Sequence, residues 1–268
     1  MNLHFQRWLT GLISAPLIIF IIYSPAKLFA FLIFIIIQLA LWEYNRLSFG
    51  AQGYAPEKAE VTILASAIVL SAYGGDFLLM TSVLTFSLLT SFLIFLLRVK
   101  DKNVDLRGME KVVLGFLYLP FLMSFFILLR NLSNGVQWVL FTMVIAFCGD
   151  SFGFYTGRYL GRRKLHVGIS PGKTVEGTIG LISGSLLGAF FFQRFFFPEL
   201  PLGHALIMGA FGGIMGQLGD LFESAMKRAA GVKDAGFLVP GHGGMMDRLD
   251  SLSFIAPFIF YYQQLVIR

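Results

Sequence analysis

The chain has 268 residues, of which 56% are hydrophobic and only 13% charged, with 30 phenylalanines and a net charge of +6. That composition excludes a soluble globular domain and describes a polytopic membrane protein, since a hydrocarbon core of about 30 Å takes roughly 20 apolar residues per helix. A single cysteine, Cys148, excludes an internal disulfide, and His4, His166, His204 and His242 are scattered without zinc spacing.

In chain order, apolar runs predict helices at 8–24, 27–47, 58–73, 77–97, 112–130, 135–157, 174–196, 203–223 and 250–266. The expected fold is all-α, a polytopic integral membrane bundle of about nine transmembrane helices with a cytoplasmic N-terminus. The stretch YSPAK at 23–27 separates the first two runs, because one helix across both would be far longer than a bilayer is thick. The first run has no small-x-small cleavage site after it and reads as a retained helix. Of the 21 Lys and Arg, only Lys27, Arg130, Arg194 and Arg268 fall on the face opposite the N-terminus. The positive-inside rule then makes the loops at 98–111, 158–173 and 224–249 cytoplasmic, in a protein of the cytoplasmic membrane. Residues 1–110 form an N-terminal domain of helices one to four, and 111–268 carry helices five to nine with a cytoplasm-facing active site. The basic face suits anionic membrane lipids, and no feature points to nucleic acid.

Helices six to eight carry the glycine ladders Gly149/Gly153/Gly157, Gly180/Gly184/Gly188 and Gly209/Gly213. Spacing by four clears one helix face for close contact, inside the bundle or across a homodimer.

Charge collects in two cytoplasmic segments. The run SAMKRAAGVKDAGFLVPGHGGMMDRLD, 224–250, follows Asp220 near the end of the eighth helix and holds Asp247 and Asp250 at the mouth of the ninth. Carboxylates converging from two helix ends make a hard oxygen site suited to Mg²⁺. Around them stand Lys227, Arg228, Lys233 and Arg248, while Gly243 and Gly244 beside His242 allow backbone to approach a ligand closely. The second segment, 146–178, places Asp150 inside the sixth helix, then Arg158, and then SPGKTVEG at the start of the seventh. Ser170, Lys173 and Thr174, with Glu176 in the first turn, form an anion-binding corner at a helix N-terminus. Acids for a metal, bases for phosphates and glycines for close approach suggest phosphoryl or nucleotidyl transfer.

The 224–250 run closely resembles the signature of the phosphatidate cytidylyltransferase (CDP-diacylglycerol synthase) family, and DSFGFYTGR and SPGKTVEG are similar to that family's upstream motifs. Val239, Gly172 and Val175 depart from the family pattern. The resemblance implies a nucleotidyltransferase of phospholipid biosynthesis, in which CTP and phosphatidic acid give CDP-diacylglycerol and pyrophosphate. It places the metal-binding aspartates at Asp220 and Asp247 and assigns Lys227, Arg228, Lys233, His242, Arg248 and Asp250 to substrate and catalysis. A second cation beside Mg²⁺ is left open. Two rival readings stand next to it. A CTP-dependent polyprenol kinase-like enzyme would share the nucleotide but phosphorylate an alcohol. An ion-coupled transporter would use Asp150, Asp220 and Glu43 as intramembrane acids, although no inverted repeat accompanies them.

Overall fold

The computed structural model describes residues 16–50, 54–99, 105–238 and 243–267. Among the described residues six helices, Ala26–Phe49, Phe77–Arg98, Arg107–Asn131, Gly135–Leu160, Val175–Phe196 and Leu202–Ala229, are long and apolar enough to cross a membrane. The protein is therefore a helical integral membrane protein. Two compact units divide it: Met1–Leu132 with Asp234–Asp247, and Ser133–Lys233 with Arg248–Arg268.

In the first unit, residues 16–23 form α1 and the chain breaks at Ser24 and Pro25 before α2 (Ala26–Phe49). Pro25 has no N–H with which to continue the helix. The carbonyls left over at the end of α1 are taken by Arg130, which donates to Ile22 O at 3.2 Å and Ser24 O at 2.8 Å. The first half of the predicted 8–24 helix lies outside the described residues. α3 (Ala55–Ser71) has 17 residues, and at 1.5 Å each such a helix reaches only about 25 Å. Its Glu57 and Glu60 pair at 3.3 and 3.1 Å with Arg98, the last residue of α4 (Phe77–Arg98). α4 begins at Asp76, whose carboxylate accepts the Leu79 N–H at 3.0 Å. The run predicted as one helix over 112–130 is α5 (Arg107–Phe116) and α6 (Leu122–Asn131), joined by a π-helical turn, Leu117–Phe121. Pro120 accounts for the turn, because it donates nothing and its ring needs the room that a wider turn provides. This stretch is the heart of the unit's core, with Phe116, Phe125, Ile127 and Leu129 almost wholly buried.

In the second unit, α7 (Gly135–Leu160) packs along α8 (Val175–Phe196) through the glycine ladders. A Cβ on Gly153 would meet Leu181 Cβ at 3.0 Å, and one on Gly188 would meet Cys148 Cβ at 2.9 Å. These two ladders thus serve contact within the chain. Between α7 and α8 the loop expected at 158–173 contains an antiparallel hairpin, β1 (Lys164–His166) and β2 (Ser170–Thr174), with Lys164 opposite Thr174. So short a pair of strands needs outside support. The Ile169 N–H donates to His166 Nδ1 at 3.2 Å, and Arg228 Nε donates to Ile169 O at 3.2 Å.

α9 (Leu202–Ala229) runs past its predicted end at 223. Glu223 and Lys227 pair across one turn at 3.4 Å, and the stop comes at Gly231 with φ +71. There the Val232 N–H donates to Lys227 O at 2.9 Å and the Gly231 N–H to Arg228 O at 3.0 Å, a Schellman ending. Lys227 and Arg228 consequently stand on the helix and not in the following loop. α10 (Met246–Tyr262) begins ahead of the predicted 250, so Asp247 and Asp250 both lie in its first turns.

Candidate active site

The second unit contains a cavity of ≈ 520 Å³ whose polar lining includes Asp150, Arg158, Ser170, Lys173, Thr174 and Asp220. Local structure explains why these residues meet. Thr174 ends β2 and caps α8, its Oγ1 accepting the Gly177 N–H at 3.0 Å. The hairpin occupies the backbone of Ser170–Thr174, so this corner is a strand running into a cap, where the sequence suggested an open helix start. Lys173, just before the cap, reaches Asp220 Oδ2 with its Nζ at 2.5 Å, their side chains being 19% and 34% exposed. The pair is sheltered enough for strong attraction and open enough to meet a ligand.

Asp220 is placed by its neighbour. A Cβ on Gly219 would run into the carbonyl oxygen of Asp250, so only a glycine lets α9 and α10 approach this closely. Asp220 and Asp250 come within electrostatic reach of each other and of Asp150, with Lys173, Lys227 and Arg248 as the nearby cations. Asp250 Oδ1 accepts its neighbour Ser251's N–H at 2.7 Å. Glu223, fully buried, pairs with Lys227 and is hydrogen-bonded to Asp250. Among the described residues no three acidic, histidine or cysteine side chains form a ready metal cage. The donor chemistry nevertheless fits a hard divalent cation, since like-charged carboxylates crowded beside a cavity gain most from Mg²⁺ or a comparable ion.

Other predicted residues have these surroundings. Arg228 donates to Ile169 O and Val232 O, both at 3.2 Å. Glu176 accepts the Arg162 and Arg163 N–H groups at 3.0 and 3.1 Å and Arg163 Nε at 3.1 Å, which ties the link from α7 to β1. Lys233 is exposed beyond the α9 stop. Asp247 belongs to the first unit, where its Oδ2 accepts the Gly244 N–H at 2.8 Å and the Ala235 N–H at 3.2 Å. Gly243 beside it takes φ +88. His242 lies outside the described residues. Reasoning from the sequence missed Glu223, Gln217 and Thr178; the last two line the cavity, their Oε1 and Oγ1 3.4 Å apart. Glu223 was legible as an acid four residues before Lys227 on an apolar helix, and Gln217 as a lone amide one turn before Asp220.

Comparison with known proteins identifies a family. Residues 5–266 match the model of the cytidylyltransferase family. The chain is 33% identical over 260 residues to a phosphatidate cytidylyltransferase of Bacillus subtilis, covering 96% of each protein. It is 31% identical over 296 residues to one of Synechocystis, covering 98% of this chain and 97% of the relative. A phosphatidate cytidylyltransferase of Thermotoga maritima is 34% identical over 202 residues, 74% of each.

Proposed function

This chain belongs to the cytidylyltransferase family, and on that premise we propose that it joins CTP to phosphatidic acid, forming CDP-diacylglycerol and releasing pyrophosphate. The observation that carries the reading is the cavity lined by Lys173, Arg158, Asp150 and Asp220, with Lys173 paired to Asp220. Cations facing carboxylates beside a roomy polar space suit a nucleoside triphosphate and its metal.

In the proposed reaction an oxygen of the lipid phosphate forms a bond to the α-phosphorus of CTP, and the bond from that phosphorus to the bridging oxygen of the β-phosphate breaks. The lipid phosphate is already an anion at neutral pH, so no side chain has to remove a proton. The barrier lies in bringing two anions together and in stabilising charge on the departing pyrophosphate. Lys173 and Arg158 supply positive charge from the cavity wall, and Lys227 and Arg248 supply it beside Asp250. A Mg²⁺ ion held by Asp220 with its neighbouring carboxylates would add Lewis-acid neutralisation of the triphosphate. Thr174 and Ser170 offer hydroxyls to phosphate oxygens. Nine spans, a cytoplasmic N-terminus and a cavity open to the cytoplasm complete the proposal, resting on the one-sided distribution of Lys and Arg.

The test uses purified protein in detergent with phosphatidic acid, Mg²⁺ and CTP labelled at one phosphate. Label in the α position is expected in the lipid, and label in the γ position in pyrophosphate. Transfer of γ label to a lipid alcohol would replace this reading with a kinase. Absence of both, with ion flux in reconstituted vesicles, would replace it with a transporter.

A further inference from the structure

The chemistry above leaves the buried acid Glu43 without a role. Glu43, near the C-terminal end of α2, is 0% exposed. A carboxyl group in such a place needs hydrogen-bond donors, and Glu43 finds them far along the chain, within the same unit. The Met246 N–H donates to its Oε2 at 2.9 Å. The amides of Leu238 and Met245 also point toward the carboxylate, with weaker geometry. Two glycines close around the group: a Cβ on Gly236 or on Gly244 would fall inside the contact shell of the Glu43 carboxyl. Neighbouring α2 side chains hold the same segment, with Trp42 edge-on to Phe237 at 6.4 Å and the Arg46 guanidinium 5.2 Å from the Phe237 ring centre. Asp247 grips the segment from its other end through the Ala235 and Gly244 N–H groups.

We propose that Glu43 is a positioning residue: from α2 its carboxylate fixes the two arms, Asp234–Leu238 and Gly243–Asp247, that set the backbone around Asp247. As a contribution to turnover this rests on the function proposed above; as a device that orders the segment it does not. An aliphatic side chain of similar size would fill the space but offer no acceptor, leaving the Met246 N–H buried without a partner. The inference also explains Gly236 and Gly244. Both are there because a carboxylate occupies the volume that any larger residue would need.

The experiment compares wild type, Glu43→Gln and Gly244→Ala as full-length protein in detergent, by hydrogen exchange and by steady-state kinetics. Glutamine keeps the size but turns an amino group toward backbone donors. Gly244→Ala disturbs the same contact from the other side and keeps the test decisive should Glu43→Gln fail to fold. Each variant is expected to raise exchange in the 234–247 peptide by about tenfold or more while α3 stays at the wild-type rate. kcat for CDP-diacylglycerol is expected to fall by about tenfold with KM for CTP changed less than about threefold, and the double variant is expected to be scarcely worse than either single one. Unchanged exchange in 234–247, or an equal rise in α3, overturns the inference. So does a loosened segment with normal kcat, which would leave the contact purely structural. Should wild type make no CDP-diacylglycerol, the proposed function fails, and the exchange pattern still decides whether Glu43 holds the segment.

Discussion

Replacing Lys173 with methionine removes one ammonium from the cavity wall and little else, since the stem of the side chain keeps its length. An ammonium about 4 Å from a phosphate charge, at an effective dielectric near 20, is attracted by about 4 kcal/mol. In the free protein Lys173 already pairs with Asp220 at 2.5 Å and is 19% exposed, and both facts reduce the net gain on binding a ligand. Allowing roughly half for the partner exchanged and for screening leaves about 2 kcal/mol. Expressed as a rate this is about 30-fold in kcat/KM for CTP. The loss should exceed that of Lys164→Met, because Lys164 is exposed on β1 and does not line the cavity. The unpaired Asp220 then faces Asp150 and Asp250, so the thermal midpoint should drop as well, and rates are to be measured well below it. α-Labelled CTP and phosphatidic acid provide the assay. A Lys173→Met enzyme within about threefold of wild type, or no worse than Lys164→Met, would refute the assignment of this lysine to phosphate.

Asp220→Asn keeps size and removes charge; it should cost on the order of 10²-fold in rate and shift the Mg²⁺ requirement upward, and an unaltered Mg²⁺ profile would count against a metal-directed role. Gly219→Ala places a methyl against the Asp250 carbonyl, where no flexible side-chain end can yield. Overpacking of about 1–3 kcal/mol is expected, lowering the thermal midpoint by several degrees, and an unchanged midpoint would show that α9 and α10 separate freely. Single cysteines at positions 164 and 233, in a Cys148→Ser background, should react with impermeant reagents only from the cytoplasmic side. Labelling of either from outside intact cells would reverse the topology.

The helices were legible because each needs a long apolar run, and the start of α8 was legible because a threonine precedes the run. What the runs did not convey was how far a helix continues into charged sequence. The extension of α9 rests on the Glu223–Lys227 pair and on Gly231, local signals that hydrophobicity ignores. The β1–β2 hairpin was equally hidden, since its strands are only three and five residues long and it depends on Arg228 from α9. At the site, Asp150, Arg158, Ser170, Lys173, Thr174 and Asp220 were all named from residue type and position, and one cavity gathers them. Glu176 and Arg228 looked the same in the sequence, yet Arg228 is directed at backbone carbonyls and Glu176 at the backbone and side chain of the α7–β1 link. Hydrogen-bond partners made across the fold distinguish the two kinds of residue, and a one-dimensional pattern does not contain them. Glu43 is the plainest case, because its donors lie some 200 positions away.

Thr174 is a helix cap and a piece of cavity wall with a single hydroxyl, packed where Gly157 and Gly161 leave just enough space. At that position the helix cap and the cavity wall share one atom. Asparagine and aspartate can still cap a helix but lack the hydroxyl, and serine, which keeps it, forfeits the methyl that lies against Gly161. Selection for a different nucleotide therefore has little freedom at residue 174. It has far more at Arg158, whose side chain lines the same cavity and caps no helix.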